Sequence, residues 1–453
     1  MASVDDYITE HMPRFKDELF EFLRIPSISA KSEHRADMSR AAEWLADRMR
    51  EAGLDVGIEQ TDGFPIVLGE YRAAGEDAPT VLLYGHYDVQ PPEPLDEWTS
   101  GPFAPEVRDG KLFARGAVDD KGQLYLHVKA IEAHMKADGA LPVNLVVLAE
   151  GEEEVGSAHL MPFVKAHQDR LACDYVVISD TTMVGEGVPT IGTSLRGLTY
   201  LEVHVRGPKT DLHSGSYGGA VVNPATALAR IIASMHDDDW RATIDGFYDD
   251  VEAMADYRKK LEAVPFDHEG FRKDTGTAEV GEAGYSTPER LWIRPTVEVN
   301  GLLSGYTGEG AKTVLPARAM AKISFRLVPR QTPDRIAELV EAHIRAVAPE
   351  GVEVEVKRLH GGHAWRATLG SELYEAAERA LAAAWDRDVV YAGEGGSIPI
   401  VPEFEQLLNA PVLLMGFGLP GENAHAPDEW MSVDNFEKGT RAAARLWAEL
   451  GNG

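Results

Sequence analysis

Five short stretches of this sequence place histidine or carboxylate residues directly behind, or close after, an apolar run. His86 and Asp88 follow Thr80-Val-Leu-Leu-Tyr84 in Gly85-His-Tyr-Asp-Val-Gln-Pro91. Two apart at a strand end, both can face one side, where a carboxylate can take the second imidazole proton and orient the ring. Asp119 and Asp120 are adjacent in Arg115-Gly-Ala-Val-Asp-Asp-Lys-Gly122, at the mouth of a helical pattern. Glu152, Glu153 and Glu154 are consecutive behind Val143–Leu148. Asp180 closes Tyr175–Ser179, and His425 sits in Asn423-Ala-His-Ala-Pro427 behind Pro411–Met415. Each has an ordinary explanation alone: a turn histidine, an aspartate capping a helix N-terminus, a solvated charge run. The glutamate run fits its ordinary explanation least, because like charges crowded at a strand end repel unless a cation neutralises them. Together the stretches supply nitrogen and oxygen donors with a carboxylate able to bridge, which is what two zinc ions require. The single cysteine, Cys173, precedes Tyr175-Val-Val-Ile178 and reads as a buried free thiol, so no intrachain disulfide or thiolate cluster is expected.

The apolar runs that precede these residues read as buried strands, and the helical pattern Lys121–Lys136 lies between the first two. Alternating strands and helices predict an α/β unit with a central, mostly parallel sheet, whose ligands gather beyond the carboxyl ends of the strands. Phe15, Leu19, Phe22 and Leu23 mark one outer helix over 14–24, and a second opens at Ser39 and ends at Gly53. The fourth strand is far along the chain from the third, which implies an inserted domain. The insert begins with the alternation Thr199–Val205 and continues through a helix at Asn223–His236. Strands near 317–327 and 352–358 then flank a helix at 333–347, giving an α+β domain with a one-sided sheet. Its acidic segment 237–290 carries Trp240, Phe247, Tyr257 and Phe271 and is expected to be a helical excursion.

At roughly 150 residues per domain, 453 residues make two or three compact units. Hydrophobic residues at 44% and charged residues at 26% are ordinary for a folded chain. With 44 Lys+Arg against 74 Asp+Glu, the net charge of −30 repels nucleic acid and anionic membranes, so neither is expected as a partner. The opening Met-Ala-Ser-Val-Asp-Asp has no basic-then-apolar leader and no run reaches bilayer length, so a cytoplasmic protein is expected.

Along nearly its whole length the chain resembles the co-catalytic zinc peptidase family of carnosinases, cytosolic dipeptidases, aminoacylases, acetylornithine deacetylase and succinyl-diaminopimelate desuccinylase. The motifs that look most like the dipeptidase branch are Gly-His86-Tyr-Asp88-Val-Gln-Pro, Asp180, Asp211-Leu-His213-Ser-Gly, Gly310-Ala-Lys-Thr-Val-Leu-Pro316, Arg326-Leu-Val-Pro and Glu394-Gly-Gly-Ser397-Ile-Pro. Segment 237–290 is also similar to that branch. The resemblance implies a discontinuous zinc-binding catalytic domain, 1–194 with 366–453, and a lid and dimerisation domain over 195–365. It implies two Zn²⁺ per subunit, replaceable by Mn²⁺ or Co²⁺, on His86, Asp119, Glu154, Asp180 and His425, with Asp119 as the bridge and the Asp119-Asp120 peptide cis. Asp88 would orient His86, and Glu153 would be the general base toward a bridging water whose pKa the metals lower. Glu153 and Glu154 take these roles, rather than Glu152, when Gly156-Ser157 is aligned with the family pattern. His213 would reach the partner subunit's site in a homodimer and hydrogen-bond the oxyanion. Arg326 would clamp the substrate carboxylate, a task suited to a guanidinium, beside the close backbone approach of Gly396 and Ser397, with His363 on a substrate-contacting loop.

The expected activity is metal-dependent hydrolysis of the peptide bond of dipeptides. The nearest alternative keeps the zinc chemistry and changes the acyl group, as in an N-acyl amino acid deacylase. A two-metal phosphoesterase would want several basic residues near the metals, and the clusters supply few. A non-catalytic binding protein leaves the filled Glu153 position unexplained.

Overall fold

Four apolar segments too hydrophobic to tolerate water on either side become four neighbouring parallel strands. A computed structural model describes residues 3–452. In it, Asn144–Glu150, Thr80–His86, Tyr175–Ile178 and Val412–Leu414 lie side by side in parallel register, with His86 opposite Glu150. Their residues are buried on both faces except at two strand starts, as expected for a parallel sheet covered by helices. The whole sheet has nine strands and is mixed. On one flank Asp55–Glu59 and Ile66–Tyr71 add antiparallel, because the short turn joining them can only close a hairpin. On the other, Thr190–Leu195 runs antiparallel to Val412–Leu414 and parallel to Val390–Glu394.

The outer helices are Val4–Leu23 and Arg35–Glu51, the second starting four residues earlier than Ser39 because a 3₁₀ turn at Ser32–His34 leads straight into it. Helix Lys121–Ala137 is buried along nearly its whole length. Its Lys121 Nζ donates to the carbonyls of Phe22 (3.1 Å) and Ile25 (2.7 Å), closing the C-terminal end of the first helix. Lys129 pairs with Glu18 (2.6 Å) and Glu132 (2.7 Å) inside the same helical layer.

After Thr190–Leu195 the chain enters a second, four-stranded antiparallel sheet in the order Thr296–Ser304, Arg318–Leu327, Gly197–Arg206, Glu353–Gly362. Leu201, Val203 and Val205 alternate inward and pack with Ile323 and Phe325 against helices Pro224–Ala233 and Pro333–Val347, so this sheet is one-sided. Segment 237–290 contributes the short helices Ala255–Leu261 and His268–Thr275 and leads into Thr287–Trp292. Leu261, Trp292 and Ile293 pack on Ala392 of the nine-stranded sheet, to which the chain returns at Trp365–Arg366. Cys173 is only half-buried, and burial pushes its thiol up to about 12. No described helix is long and apolar enough to cross a membrane.

Candidate active site

Because the four central strands are parallel, the segments that follow them share one edge of the sheet. His86 ends its strand there, Glu153 and Glu154 sit in a 3₁₀ turn just past Glu150, Asp180 lies two residues past Ile178, and His425 comes from the loop after Leu414. Asp119 arrives from the loop before helix Lys121–Ala137, through a cis Asp119-Asp120 peptide. A Cβ on Gly85 would stand 2.8 Å from Asp120 Oδ2, so glycine before His86 lets this loop close on the strand. There Asp120 Oδ2 accepts from the His86 N–H at 3.2 Å.

The five residues form two groups joined through Asp119. His86 Nε2 is 3.1 Å from Asp119 Oδ1 and 3.7 Å from Asp180 Oδ2. His425 Nε2 is 2.8 Å from Asp119 Oδ2 and 3.3 Å from Glu154 Oε2. Each group could hold one metal ion, and the Asp119 carboxylate would contribute one oxygen to each. His86 Nε2 is fully buried among these oxygens with no hydrogen-bond partner, a vacancy in its bonding that a cation would fill. Despite its burial, Asp119 is held low by His425 and His86, but Asp180 and Glu153 carry the same signature. Burial, and then the charge of Asp119, push Asp180 up to about 7, and burial pushes Glu153 up to about 9, helped by Asp180, Glu154 and Asp119 and opposed by His86. Acids crowded this way hold protons unless a metal takes the protons' place.

The acidic run divides by direction. Glu150 accepts from Tyr84 Oη (2.7 Å) and Ser157 Oγ (2.8 Å), and Glu152 turns to His159 (2.8 Å). Glu154 joins the His425 group, while Glu153 lines the cavity with Asp119, Asp180 and His425. Asp88 is fully buried, but the hydrogen-bond acceptor for His86 Nδ1 is the Asp88 carbonyl at 3.1 Å; the carboxylate lies at 3.3 Å and accepts from the Glu154 N–H at 3.2 Å. The two-residue spacing folds Asp88 back on His86, so backbone and side chain together tie one ligand to another.

Gly396 and Ser397 line the same cavity. Arg326, on the second sheet, does not itself line this cavity but touches its wall, its Nη1 donating to Ser397 Oγ at 2.7 Å. His213 does not enter this site within the chain. It is exposed on the short strand Leu212–His213, which pairs with Val314–Leu315, and its Nδ1 accepts from the N–H groups of Gly215 (3.1 Å) and Ser216 (3.2 Å). A ring nitrogen accepting from two backbone donors is unprotonated, so the ring proton resides on Nε2. His363 is exposed in the turn before Trp365–Arg366 and is not among the residues lining the cavity.

Two supporting residues escaped the sequence reading. Gln90 Nε2 donates to Glu154 Oε2 at 2.7 Å. Glu429, fully buried, accepts from the N–H groups of Gly116 (3.0 Å), Val118 (3.0 Å) and Asp119 (3.2 Å) and from Arg115 Nη1 (2.6 Å). In the sequence Asp428-Glu429 looks like a surface turn; its position four residues after His425 was the only signal.

An α/β sheet with two histidine–carboxylate groups joined through one aspartate at its carboxyl edge has the build of a metallohydrolase. The model of Peptidase family M20/M25/M40 matches residues 82–449. The Cys-Gly metallodipeptidase dug1 of Schizosaccharomyces pombe is 33% identical, across 98% of this chain and 98% of that one. The structure of human carnosine dipeptidase 1 superposes with a TM-score of 0.87 at 29% identity, covering 99% of this chain and 98% of that one. The M20 family metallo-carboxypeptidase Sso-CP2 from Sulfolobus solfataricus gives a TM-score of 0.86 at 31% identity, covering 97% and 99%. The chain belongs to peptidase family M20/M25/M40 and is a metallopeptidase.

Proposed function

We propose that this enzyme hydrolyses the peptide bond of dipeptides at a centre of two Zn²⁺ ions held by His86, Asp180, Glu154 and His425 and bridged by Asp119. The observation that carries this reading is the division of the two Asp119 oxygens between the two groups, 3.1 Å from His86 and 2.8 Å from His425. Bound zinc ions supply the acidification of a water molecule and the polarisation of the scissile carbonyl. The remaining work belongs to the chain. Glu153, at the cavity wall, takes the water's proton and passes it to the leaving amine. Burial raises the pKa of its carboxyl to about 9, and the positive charge of metal ions held by the neighbouring ligands would favour the basic form. Arg326, fixed by Ser397, receives the substrate's terminal carboxylate as a planar fork.

His213 completes the site from a second copy of the chain. Its fixed Nε2–H is a donor suited to a developing oxyanion, and no residue of its own chain's centre is within its hydrogen-bonding reach. The strand Thr296–Ser304 forms an edge of the second sheet and exposes Val299 and Leu302 on one face and Leu303 on the other, an apolar edge with the character of a homodimer contact. On this reading the insert over 195–365 serves as lid and dimerisation domain. A panel of dipeptides set against N-acetyl amino acids tests the substrate class: turnover of dipeptides with little on the acetylated series is expected, and the reverse order would make the enzyme a deacylase.

A further inference from the structure

A second cavity, of about 460 Å³, shares no lining residue with the metal cavity and meets it through the hydrogen bond from Arg326 to Ser397. Four arginines line it, Arg196, Arg290, Arg294 and Arg326, with two carboxylates, Glu282 and Glu298. Arg294 is committed to Glu282 by two bonds of 2.6 Å. Among the described residues, none of the other three arginines has a carboxylate within ion-pairing distance, and Glu298 pairs with none of them, although the chain carries 74 acidic residues against 44 basic ones.

Arg196 is the most constrained of them. It is 9% exposed, its Nε donates to the Gly395 carbonyl (3.0 Å), and its Nη1 donates to the carbonyls of Arg290 (3.3 Å) and Arg294 (3.5 Å). Carbonyls satisfy the N–H groups but give the charge no close ion pair; burial and the like charge of Arg326 disfavour it, and Glu298 and Glu394 offset them only from beyond ion-pairing distance. Arg290 uses its Nε on the Glu282 carbonyl at 3.0 Å. A buried guanidinium without a paired counter-charge is costly, and Arg196, with the half-buried Arg290 and Arg326 around the same cavity, is better accommodated when an anion enters it. Guanidinium forks match the planar or tetrahedral oxygens of carboxylate and phosphate.

We infer that this cavity is an oxyanion subsite. A carboxylate or phosphate group enters it either as the side chain of an acidic C-terminal substrate residue, whose main-chain carboxylate is held at Arg326, or as a free small anion. The first source rests on the dipeptidase reading above; the second does not.

Two measurements on the metal-loaded enzyme separate these sources, using wild type, Arg290→Gln and the charge-keeping Arg290→Lys. The first is the ratio of kcat/KM for Ala-Glu over Ala-Gln, which differ in charge and hardly in shape. The second is calorimetric binding of inorganic phosphate, in which heat lost in Arg290→Gln belongs to this cavity and heat that persists belongs to the metals. If the substrate supplies the anion, Ala-Glu is preferred by about tenfold, and the preference falls toward unity in Arg290→Gln and survives in Arg290→Lys. If a free anion does, the ratio is near unity throughout and phosphate binding weakens in Arg290→Gln alone. No acid preference together with identical phosphate binding in all three forms overturns the subsite, while continued hydrolysis of Ala-Gln would leave the dipeptidase reading intact. If neither dipeptide is hydrolysed, that reading fails, and the phosphate comparison alone decides for or against the subsite.

Discussion

Arg115 and Glu429 form a buried ion pair at 2.6 Å, and both are almost fully shielded from solvent, at 1% and 0% side-chain exposure. The pair holds the loop before the bridging aspartate, since Glu429 accepts from the Asp119 N–H while Arg115 Nη2 donates to the carbonyl of Ala426, next to His425. Two metal-ligand candidates from distant parts of the chain are thereby fixed to one pair of side chains.

Replacing Glu429 by Gln leaves the Arg115 charge buried and unopposed. Stability falls by about 3–5 kcal/mol, read by denaturant unfolding, and metal affinity falls by about 10–100-fold, read by competition with a chelator. Wild-type metal affinity in a folded Glu429→Gln enzyme would show that the pair does not position the centre.

The proposed base separates binding from catalysis. Glu153→Ala should keep its metals and lose kcat by roughly 100- to 10,000-fold. Near-normal turnover in a metal-replete variant would remove Glu153 from the mechanism.

Exchange of subunits tests His213. His213→Ala and Glu153→Ala chains are each expected to be inactive as homodimers, and mixing them regenerates one intact site per heterodimer if His213 acts across the interface. Proven subunit exchange without recovery of activity would contradict a composite site.

Away from the centre, Glu132 gives a pH-dependent contribution to stability. Burial alone would raise its pKa, but Arg14 and Lys129 outweigh it and hold Glu132 at about 2, below its ordinary 4.5. Because the folded-state value is the depressed one, the stabilisation is present above pH 4.5 and is lost as the pH falls toward 2. Glu132→Gln should therefore be less stable than wild type at pH 7 by about 1–3 kcal/mol, with the gap closing below pH 4.5 in unfolding curves. A gap that is unchanged at low pH would locate the effect elsewhere.

Legibility followed physical cause. The central strands were readable because Val81–Tyr84, Leu145–Leu148 and Tyr175–Ile178 are unbroken apolar runs, which few other structures can bury. Ile66–Tyr71 and Thr190–Leu195 mix glycine, threonine and charge within short strands, and the direction in which they pair depends on connections that residue patterns do not record. The ligand candidates were visible because sheet topology brings strand ends together. Their supports were not: Glu429 meets Arg115 across 314 residues, and a buried acid and an exposed one look the same in sequence. The unpaired state of Arg196 likewise emerges only when the helix Thr287–Trp292 and the two sheets are assembled around it.

The central claim is that Asp119 joins two metal sites in one catalytic centre. It is tested most directly by titrating Zn²⁺ into metal-stripped enzyme while following both bound zinc and hydrolysis of a dipeptide. Two zinc ions bound per chain are expected, with full activity reached at the second equivalent. Saturation of binding and activity at one equivalent, or hydrolysis independent of metal, would contradict it.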